Sequence, residues 1–258
     1  GYDMGTIENN GETMPHAKEW DYFIATDWPN REYIRTALNL KIPRLLIGSS
    51  RSDVLVNMDK NMYYSIRKSM GINEGEKVVL YAPTFRENDF NLEKIDLKIK
   101  ELCRLKDVRV ILRLHPEVKN RIDISEYDNT VIDGNVYTDI YVLYMAADIL
   151  ITDYSSVSIE YSLLRRPILF YMYDLEEYKS ERNFYFDYLD HLAGPVIKTE
   201  EELIYAVQHI DEIQENFKEE YQAYNQRYNE KNDGHVCERF MKLLQSGFFS
   251  KPGNDITT

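Results

Sequence analysis

Cysteine is scarce in this chain: Cys103 and Cys237 are the only two in 258 residues, and neither lies in a Cys-x-x-Cys or Cys/His cluster. That argues against a disulfide framework and against a structural zinc site, and it fits a reducing compartment. Long apolar runs are also missing. None approaches the roughly 18 to 20 residues needed to span a bilayer, and no secretory signal pattern is present. Positive charge is in short supply, with 31 Lys and Arg against 44 Asp and Glu and a formal charge of -13. A generic nucleic-acid binder needs a basic face, so that class is excluded, while a local basic pocket for a small anion is not. There is no P-loop and no Gly-x-Gly-x-x-Gly, which removes Walker-type ATPases and the usual dinucleotide oxidoreductases. No metal site is indicated, because the acidic pairs Glu176-Glu177 and Glu200-Glu201-Glu202 fall at helix starts, where carboxylates suit the dipole.

What is present is core-forming material. The chain is 43% hydrophobic and 13% aromatic, with 21 tyrosines, a composition that excludes wholesale disorder. The first residue is Gly1 rather than Met, which reads as an excised or processed segment. Residues Gly1 to Ala17 read as a polar arm. Tyr22 to Thr26 and Ile42 to Ile47 read as short strands, with a helix between them through Leu38. A helix from Asn57 to Met70 closes at Gly71.

From Glu76 onward, strands and helices alternate. Lys77 to Ala82, Val108 to Leu114, Val131 to Asp133, Ile149 to Thr152, Pro167 to Tyr171 and Gly194 to Ile197 read as strands. Leu92 to Leu105, Asp139 to Ala147, Tyr154 to Leu164, Glu200 to His209, Asp211 to Tyr228 and His235 to Leu244 read as helices. That alternation predicts an α/β fold with a doubly wound parallel Rossmann-type sheet. The expected division is 1–72 as a partial amino-terminal domain and linker, 73–247 as the sheet domain with the final helices, and 248–258 as a flexible tail.

The most telling stretch is Asp148 to Tyr171, a strand, a hydroxyl-rich turn, a helix and a second strand. Open α/β sheets bind ligands outside the carboxyl ends of their strands. Ser155 and Ser156 stand at such an end, at a helix start that favours an anion such as phosphate. The plain alternative is a capping serine, worth about 1 kcal/mol. Other polar groups end strands on the same edge: Thr84 and Arg86, Arg113 and His115, Asp133, and Asp153. Pro116 biases His115 out of a helix, so its imidazole can bind phosphate or move a proton, unless a backbone carbonyl satisfies it. Arg113 shares its strand face, and an internal Arg in an apolar strand is costly without an anion. Asp233-Gly234-His235 opens the last helix, where ordinary turn chemistry competes with any functional role. Arg182 and the aromatic run Phe184 to Tyr188 stand where they would close over a ligand, although such clusters usually serve packing.

Taken together, YAPTFR (Tyr81 to Arg86), RLHP (Arg113 to Pro116), DILITDYSS (Asp148 to Ser156), RRPILFY, GPV (Gly194 to Val196) and DGH...R (Asp233 to Arg239) resemble the CDP-glycerol glycerophosphotransferase family. These are teichoic acid polymerases and primases and their capsule-synthesis relatives. The resemblance covers residues 20 to 245. It implies a GT-B architecture, with the nucleotide donor held mainly by the carboxyl-terminal domain.

By position, the resemblance puts His115 and Arg113 on the donor diphosphate, with Ser155 and Ser156 on the phosphate at the helix start and Asp153 ordering that turn. His115, Arg113 and Asp153 are thus the expected catalytic group. Thr84, Arg86, Glu160, Asp233 and His235 complete the donor-binding set. Glu160 stands where this architecture contacts a ribose, and the family commonly has Asp there. Gly48 to Asp53 (GSSRSD) resembles the family's Gly-x-Pro-Arg-Asn-Asp segment, with Arg51 and Asp53 kept and Ser50 and Ser52 departing.

The family's Trp-His-Gly-Thr motif, whose His is the usual candidate base, falls just before the segment resembling Gly1-Tyr2-Asp3-Met4. His16 does not match it. The expectation is therefore a chain that holds the donor site and is inactive alone. The implied reaction moves glycerol phosphate, or a related polyol phosphate, from CDP-glycerol to a lipid-linked teichoic acid or capsule acceptor and releases CMP. No covalent cofactor and no nucleic-acid partner are implied. The implied location is the cytoplasmic face of a bacterial membrane, with contact made through upstream residues or partners. A GT-B glycosyltransferase using a UDP-sugar and a nucleotide-binding domain without catalysis stay open as alternatives.

Overall fold

The computed structural model describes residues 19–27, 42–84, 99–115, 127, 131–181 and 188–250. The expected arm at 1–17 with His16, the helix through Leu38, Arg86, the first half of the helix at 92–105, Arg182, most of the aromatic loop and the tail from 251 lie outside them. Two short strands, β1 (Phe23–Ala25) and β2 (Arg44–Leu46), pair in parallel with Ile24 opposite Leu45. A 3-10 turn at Ser50–Ser52 then leads into α1 (Asp53–Val56) and α2 (Lys60–Ser69). The sequence reads as one helix from Asn57, but α2 starts at Lys60 because Asp59 caps it, its Oδ1 accepting from Met62 N at 2.7 Å.

The main sheet contains β3 (Lys77–Tyr81), β4 (Val108–Leu112), β5 (Val131–Asp133), β6 (Ile149–Thr152), β7 (Ile168–Tyr171) and β8 (Val196–Ile197). Their spatial order is β5-β4-β3-β6-β7-β8, and every pairing is parallel. This is the Rossmann order, and its direction reverses between β3 and β6. The helices that follow are α3 (Ile140–Ala146), α4 (Val157–Tyr161), α5 (Leu175–Glu181), α6 (Glu200–Gln208), α7 (Ile210–Asn216), α8 (Lys218–Asn229) and α9 (Val236–Gln245). The expected single helix from Asp211 to Tyr228 is two, α7 and α8. They are broken at Phe217, whose φ of -104° and ψ of 19° leave helical geometry. No Gly or Pro marks that break.

The strands are almost wholly apolar because both faces are covered. Val78, Leu80, Ile111, Leu150 and Phe170 pack on one side with Leu143, Tyr144, Tyr161, Tyr224 and Tyr228. Val79, Val110, Ile149, Leu169 and Ile197 pack on the other with Leu203, Val207 and Ile210. Each such side chain contributes about 1.5–3 kcal/mol. Leu55 and Ile72 belong to the first of these clusters, so the packed sheet unit begins upstream of residue 73. Phe248 and Phe249, inside the expected tail, meet Tyr22 tilted and edge-on, with ring centroids 5.6 and 5.2 Å away.

At the amino ends of β3 and β6 a buried polar cluster locks α2 to the sheet. Arg67 Nη1 lies 2.8 Å from Asp148 Oδ2 and donates to Ala146 O at 3.2 Å, while its Nη2 donates to Glu76 O. Asp148 also accepts from Val78 N at 2.8 Å and from the Tyr63 hydroxyl at 2.7 Å. Burial, with the Asp148 carboxylate adding to it, pushes the Tyr63 hydroxyl up to about 12.

Candidate functional site at the carboxyl edge of the sheet

At the reversal between β3 and β6, where open α/β sheets form their ligand crevice, Asp153 ties together the loops that follow the two strands. Only 1% of Asp153 is exposed, and its Oδ1 accepts from Thr84 N at 2.9 Å and from Tyr154 N at 2.7 Å. Thr152 adds a second tie by donating its hydroxyl to Ala82 O at 2.8 Å. A carboxylate committed to backbone donors orients loops. Asp153 is therefore an anchor of this turn. Tyr154 fixes the same turn from the other side, stacked on Tyr178 with centroids 3.7 Å apart and bonded through its hydroxyl to Asp174.

Ser155 and Ser156 follow on the crevice rim, both half-buried. Ser156 sits at the N-cap of α4 yet makes no side-chain capping bond, and Ser155 Oγ accepts only a long 3.4 Å bond from Val157 N. The capping alternative thus leaves these hydroxyls largely unspent. The α-helix behind them is shorter than the sequence predicts, five residues followed by a 3-10 turn at Ser162–Leu164. So short a helix has a weak dipole, so any attraction for an anion here would rest on the local N–H and hydroxyl groups. The turn is held from behind by Ser158, whose Oγ donates to Ser155 O at 3.0 Å and lies 2.8 Å from the Tyr224 hydroxyl.

Arg113 and His115 continue from the end of β4. Leu114 between them is buried on the opposite face, and His115 is exposed. Arg113 does not need an anion to offset its cost: Nη1 donates to Gly134 O at 2.9 Å and to Tyr137 O at 2.7 Å. It fixes the β5–α3 loop, so its presence in an apolar strand is explained by carbonyls. Asp133 stays within that loop, accepting from Asn135 N at 2.8 Å.

Glu160 lies one turn beyond Ser156, and its Oε1 accepts from the Tyr141 hydroxyl at 2.5 Å. Burial raises the Tyr141 pKa further above its ordinary value, and the neighbouring carboxylate adds to it. Arg51 lies over that ring, its guanidinium carbon 4.8 Å from the centroid. Sequence reading placed Arg51 in a family-like segment and missed Tyr141, whose position on an apolar helix face reads as core.

Asp233 and His235 belong to a clasp with the segment at 47–57. Arg239 Nη1 reaches Asp233 Oδ1 and Oδ2 at 2.8 and 2.7 Å, and its Nη2 donates to Ile47 O at 3.1 Å. Asp53 accepts from Val236 N at 3.0 Å and Cys237 N at 2.8 Å, and Asn57 donates to Gly234 O at 2.8 Å. Gly48, at φ 93°, leaves no room for a side chain, since a Cβ would stand 2.6 Å from Lys231 O. Arg239 holds the Asp233 carboxyl below its usual value. His235 contributes its backbone N–H to Asp233, and its exposed ring stands 3.4 Å from Glu238. Both residues thus carry the joint between β2 and α9. Among the described residues, no group of three or more His, Cys, Asp or Glu could hold a metal ion.

These features coincide with a known family. Its model, for CDP-Glycerol:Poly(glycerophosphate) glycerophosphotransferase, matches residues 1–246. A teichoic acid poly(glycerol phosphate) polymerase of Staphylococcus epidermidis is 34% identical over 94% of this chain and 36% of its own length. A teichoic acid glycerol-phosphate primase of Bacillus subtilis is 38% identical over 88% of this chain and 58% of its own. The wall teichoic acid polymerase TagF, in a variant soaked with CDPG, superposes with a TM-score of 0.81 at 30% identity, over 96% of this chain and 65% of that one. The chain spans about a third to two thirds of the length of such relatives. With the Rossmann strand order of a GT-B donor domain and a family match along nearly its whole length, the chain belongs to the CDP-glycerol:poly(glycerophosphate) glycerophosphotransferase family.

Proposed function

We propose that this chain carries the donor site of a polyol-phosphate transferase that uses CDP-glycerol. The supporting observation is the reversal of strand order between β3 and β6, where Asp153 pins both following loops and the Ser155–Ser156 turn, Arg113 and His115 follow strand ends on the same edge. In the reaction, an oxygen of the acceptor's terminal hydroxyl bonds to the β-phosphorus of CDP-glycerol. The bond from that phosphorus to the bridging oxygen breaks, CMP leaves with the electron pair, and the hydroxyl proton passes to a base or to solvent. Protein groups act mainly by stabilising charge on the diphosphate. The Ser155 and Ser156 hydroxyls and nearby N–H groups bind it, His115 donates to it or protonates the leaving phosphate, and Arg113 supplies charge while shaping the neighbouring loop. Thr84 belongs to the same edge, and Arg86, outside the described residues, joins the donor-binding set of this reading from the sequence alone. Glu160 meets the ribose. Asp233 and His235 act indirectly, through the clasp.

The acceptor in this reading is a lipid-linked polyol-phosphate polymer of teichoic acid type, and the place of action is the inner membrane face. No described helix is long and apolar enough to cross a membrane, and an overall charge of -13 gives no attraction to anionic lipid. Membrane contact therefore comes from other segments or partners. Titration calorimetry with CDP-glycerol, CDP, UDP and ADP tests the donor site. The cytidine ligands should bind tightest, and His115→Ala should weaken them by tenfold or more. Tighter binding of UDP than of CDP would overturn the proposal.

A further inference from the structure

One residue outside every motif of the sequence sits directly against the donor-site carboxylate. Tyr141 is 2% exposed, stacked on Tyr144 at 5.6 Å, and Tyr144 meets Tyr161 edge-on at 5.9 Å. Asp139 caps α3 by accepting from Tyr141 N at 3.0 Å, so backbone and ring are both fixed. The only freedom left is hydroxyl rotation, and the hydroxyl points at Glu160 Oε1, 2.5 Å away. Glu160 is only half-buried. A long, partly exposed Glu side chain loses rotamer freedom when it binds a ligand, unless something already holds it.

The Arg51 guanidinium lies over the Tyr141 ring. Its backbone is fixed in turn: Ser49 N donates to Asn232 Oδ1 at 2.7 Å, and Asp53 is held at the start of α9. The linker segment therefore presses a cation onto the ring that orients the carboxylate.

We infer that Tyr141 is a positioning residue: it holds one oxygen of Glu160 so that the other is presented, already oriented, to the ribose hydroxyls of the donor, with Arg51 fixing the ring. The inference rests on the reading of Glu160 as the ribose contact. Without the Tyr141 hydroxyl, Glu160 would be free to rotate, and the ribose would bear the cost of ordering it.

Tyr141→Phe keeps the ring, its stacking and the Arg51 contact, and removes one oxygen. The measurement is the affinity of CDP relative to 2′,3′-dideoxy-CDP, by calorimetry on the 258-residue chain, for the wild type, Tyr141→Phe, Glu160→Gln and the double variant, with melting temperatures recorded. A hydrogen bond to a charged group is worth about tenfold in affinity. The wild type should prefer CDP over the dideoxy compound by about that factor. Tyr141→Phe should reduce the preference most of the way to unity while leaving dideoxy-CDP affinity unchanged, a pattern that mere loss of stability cannot give. The double variant should show no further loss beyond Glu160→Gln. If Glu160→Gln erases the preference and Tyr141→Phe keeps it, the positioning role is overturned and the donor-site reading stands. If the wild type binds both ligands equally, the ribose contact itself is wrong and the inference falls with it. If CDP does not bind at all, the proposed function falls first.

Discussion

Replacing Asp153 separates an anchoring role from an acid–base role, because two substitutions at that position then behave differently. In Asp153→Ala, Thr84 N and Tyr154 N lose their acceptor in a site that is 1% exposed. Each buried donor left unpaired costs about 1–3 kcal/mol, so the variant should lose about 4 kcal/mol, a large share of a typical stability of about 5–15 kcal/mol. In Asp153→Asn, the amide oxygen takes the place of Oδ1 and keeps both bonds, at 2.9 and 2.7 Å in the native geometry. Its NH2 group then faces Thr84 N, which Oδ2 approaches at 3.1 Å. Loss of charge assistance and that unfavourable contact together cost about 1–2 kcal/mol. Urea denaturation followed by far-UV circular dichroism measures both variants, and CDP titration follows under conditions where each is folded. The Asn variant should bind CDP within a few-fold of wild type and the Ala variant at least tenfold more weakly. Asp153 is not an anchor if the Ala variant unfolds within about 1 kcal/mol of wild type, or if the Asn variant is as damaged as the Ala variant.

Arg67→Met breaks the ion pair at the opposite end of the sheet, where side-chain exposures are 7% for Arg67 and 30% for Asp148. Denaturant titration should show a loss of about 2–3 kcal/mol, discounted for the partial exposure of Asp148, with CDP affinity unchanged; an affinity loss would couple the two ends. Cys103 is buried and its thiol is pushed up to about 12 by burial, whereas Cys237 is exposed. At pH 8 a thiol reagent should therefore titrate one group in the native chain and two in urea, the native reaction slowed by the Asp53 carboxylate beside Cys237. Two native equivalents would contradict the packing beneath β4. Asp233 titrates below its ordinary range because Arg239 is bonded to it. A depressed native value means its contribution is complete above about pH 4 and is lost as pH falls through the native value. The stability difference between wild type and Arg239→Met should shrink over that acid range in thermal melts, and a difference that persists below it would assign the clasp to Arg239's backbone contacts instead.

Much of the fold was legible because parallel strands buried on both faces spell themselves out as KVVLY, VRVIL, ILIT and ILFY. Strand ends were legible for the same reason: polar residues begin where the cover of helices stops. What the sequence could not supply was the partner of each polar group. Arg113 in an apolar strand looked like an anion ligand, and only the folded β5–α3 loop shows two carbonyls meeting its guanidinium. Asp153 was read as ordering its turn, but its backbone partner Thr84, 69 residues away in sequence, was not legible. Tyr141 left no signal, since a tyrosine on an apolar helix face has the periodicity of core whether or not its hydroxyl reaches a carboxylate. The break between α7 and α8 and the short α4 likewise carry no Gly or Pro.

The two ends of this sheet divide the labour of the polar residues. At the amino ends of β3 and β6, Arg67, Asp148 and Tyr63 satisfy one another along the wall of an open hollow of about 920 Å³. At the carboxyl ends the anchors point sideways and backwards: Asp153 into Thr84 and Tyr154, Arg113 into the β5–α3 loop, Tyr154 onto Tyr178. Each of these bonds holds a loop in place, and none of them is made to the Ser155 or Ser156 hydroxyl. Under the proposed function, a site held in this way would meet diphosphate with its geometry already set, and such preorganisation lowers the cost of binding. The clasp extends the same logic to the chain's other segment, because Arg239, Asp53 and Asn57 fix the stretch that places Arg51 on Tyr141. Movement of that segment relative to the sheet would therefore be felt first at Glu160, before any group on the phosphates shifts.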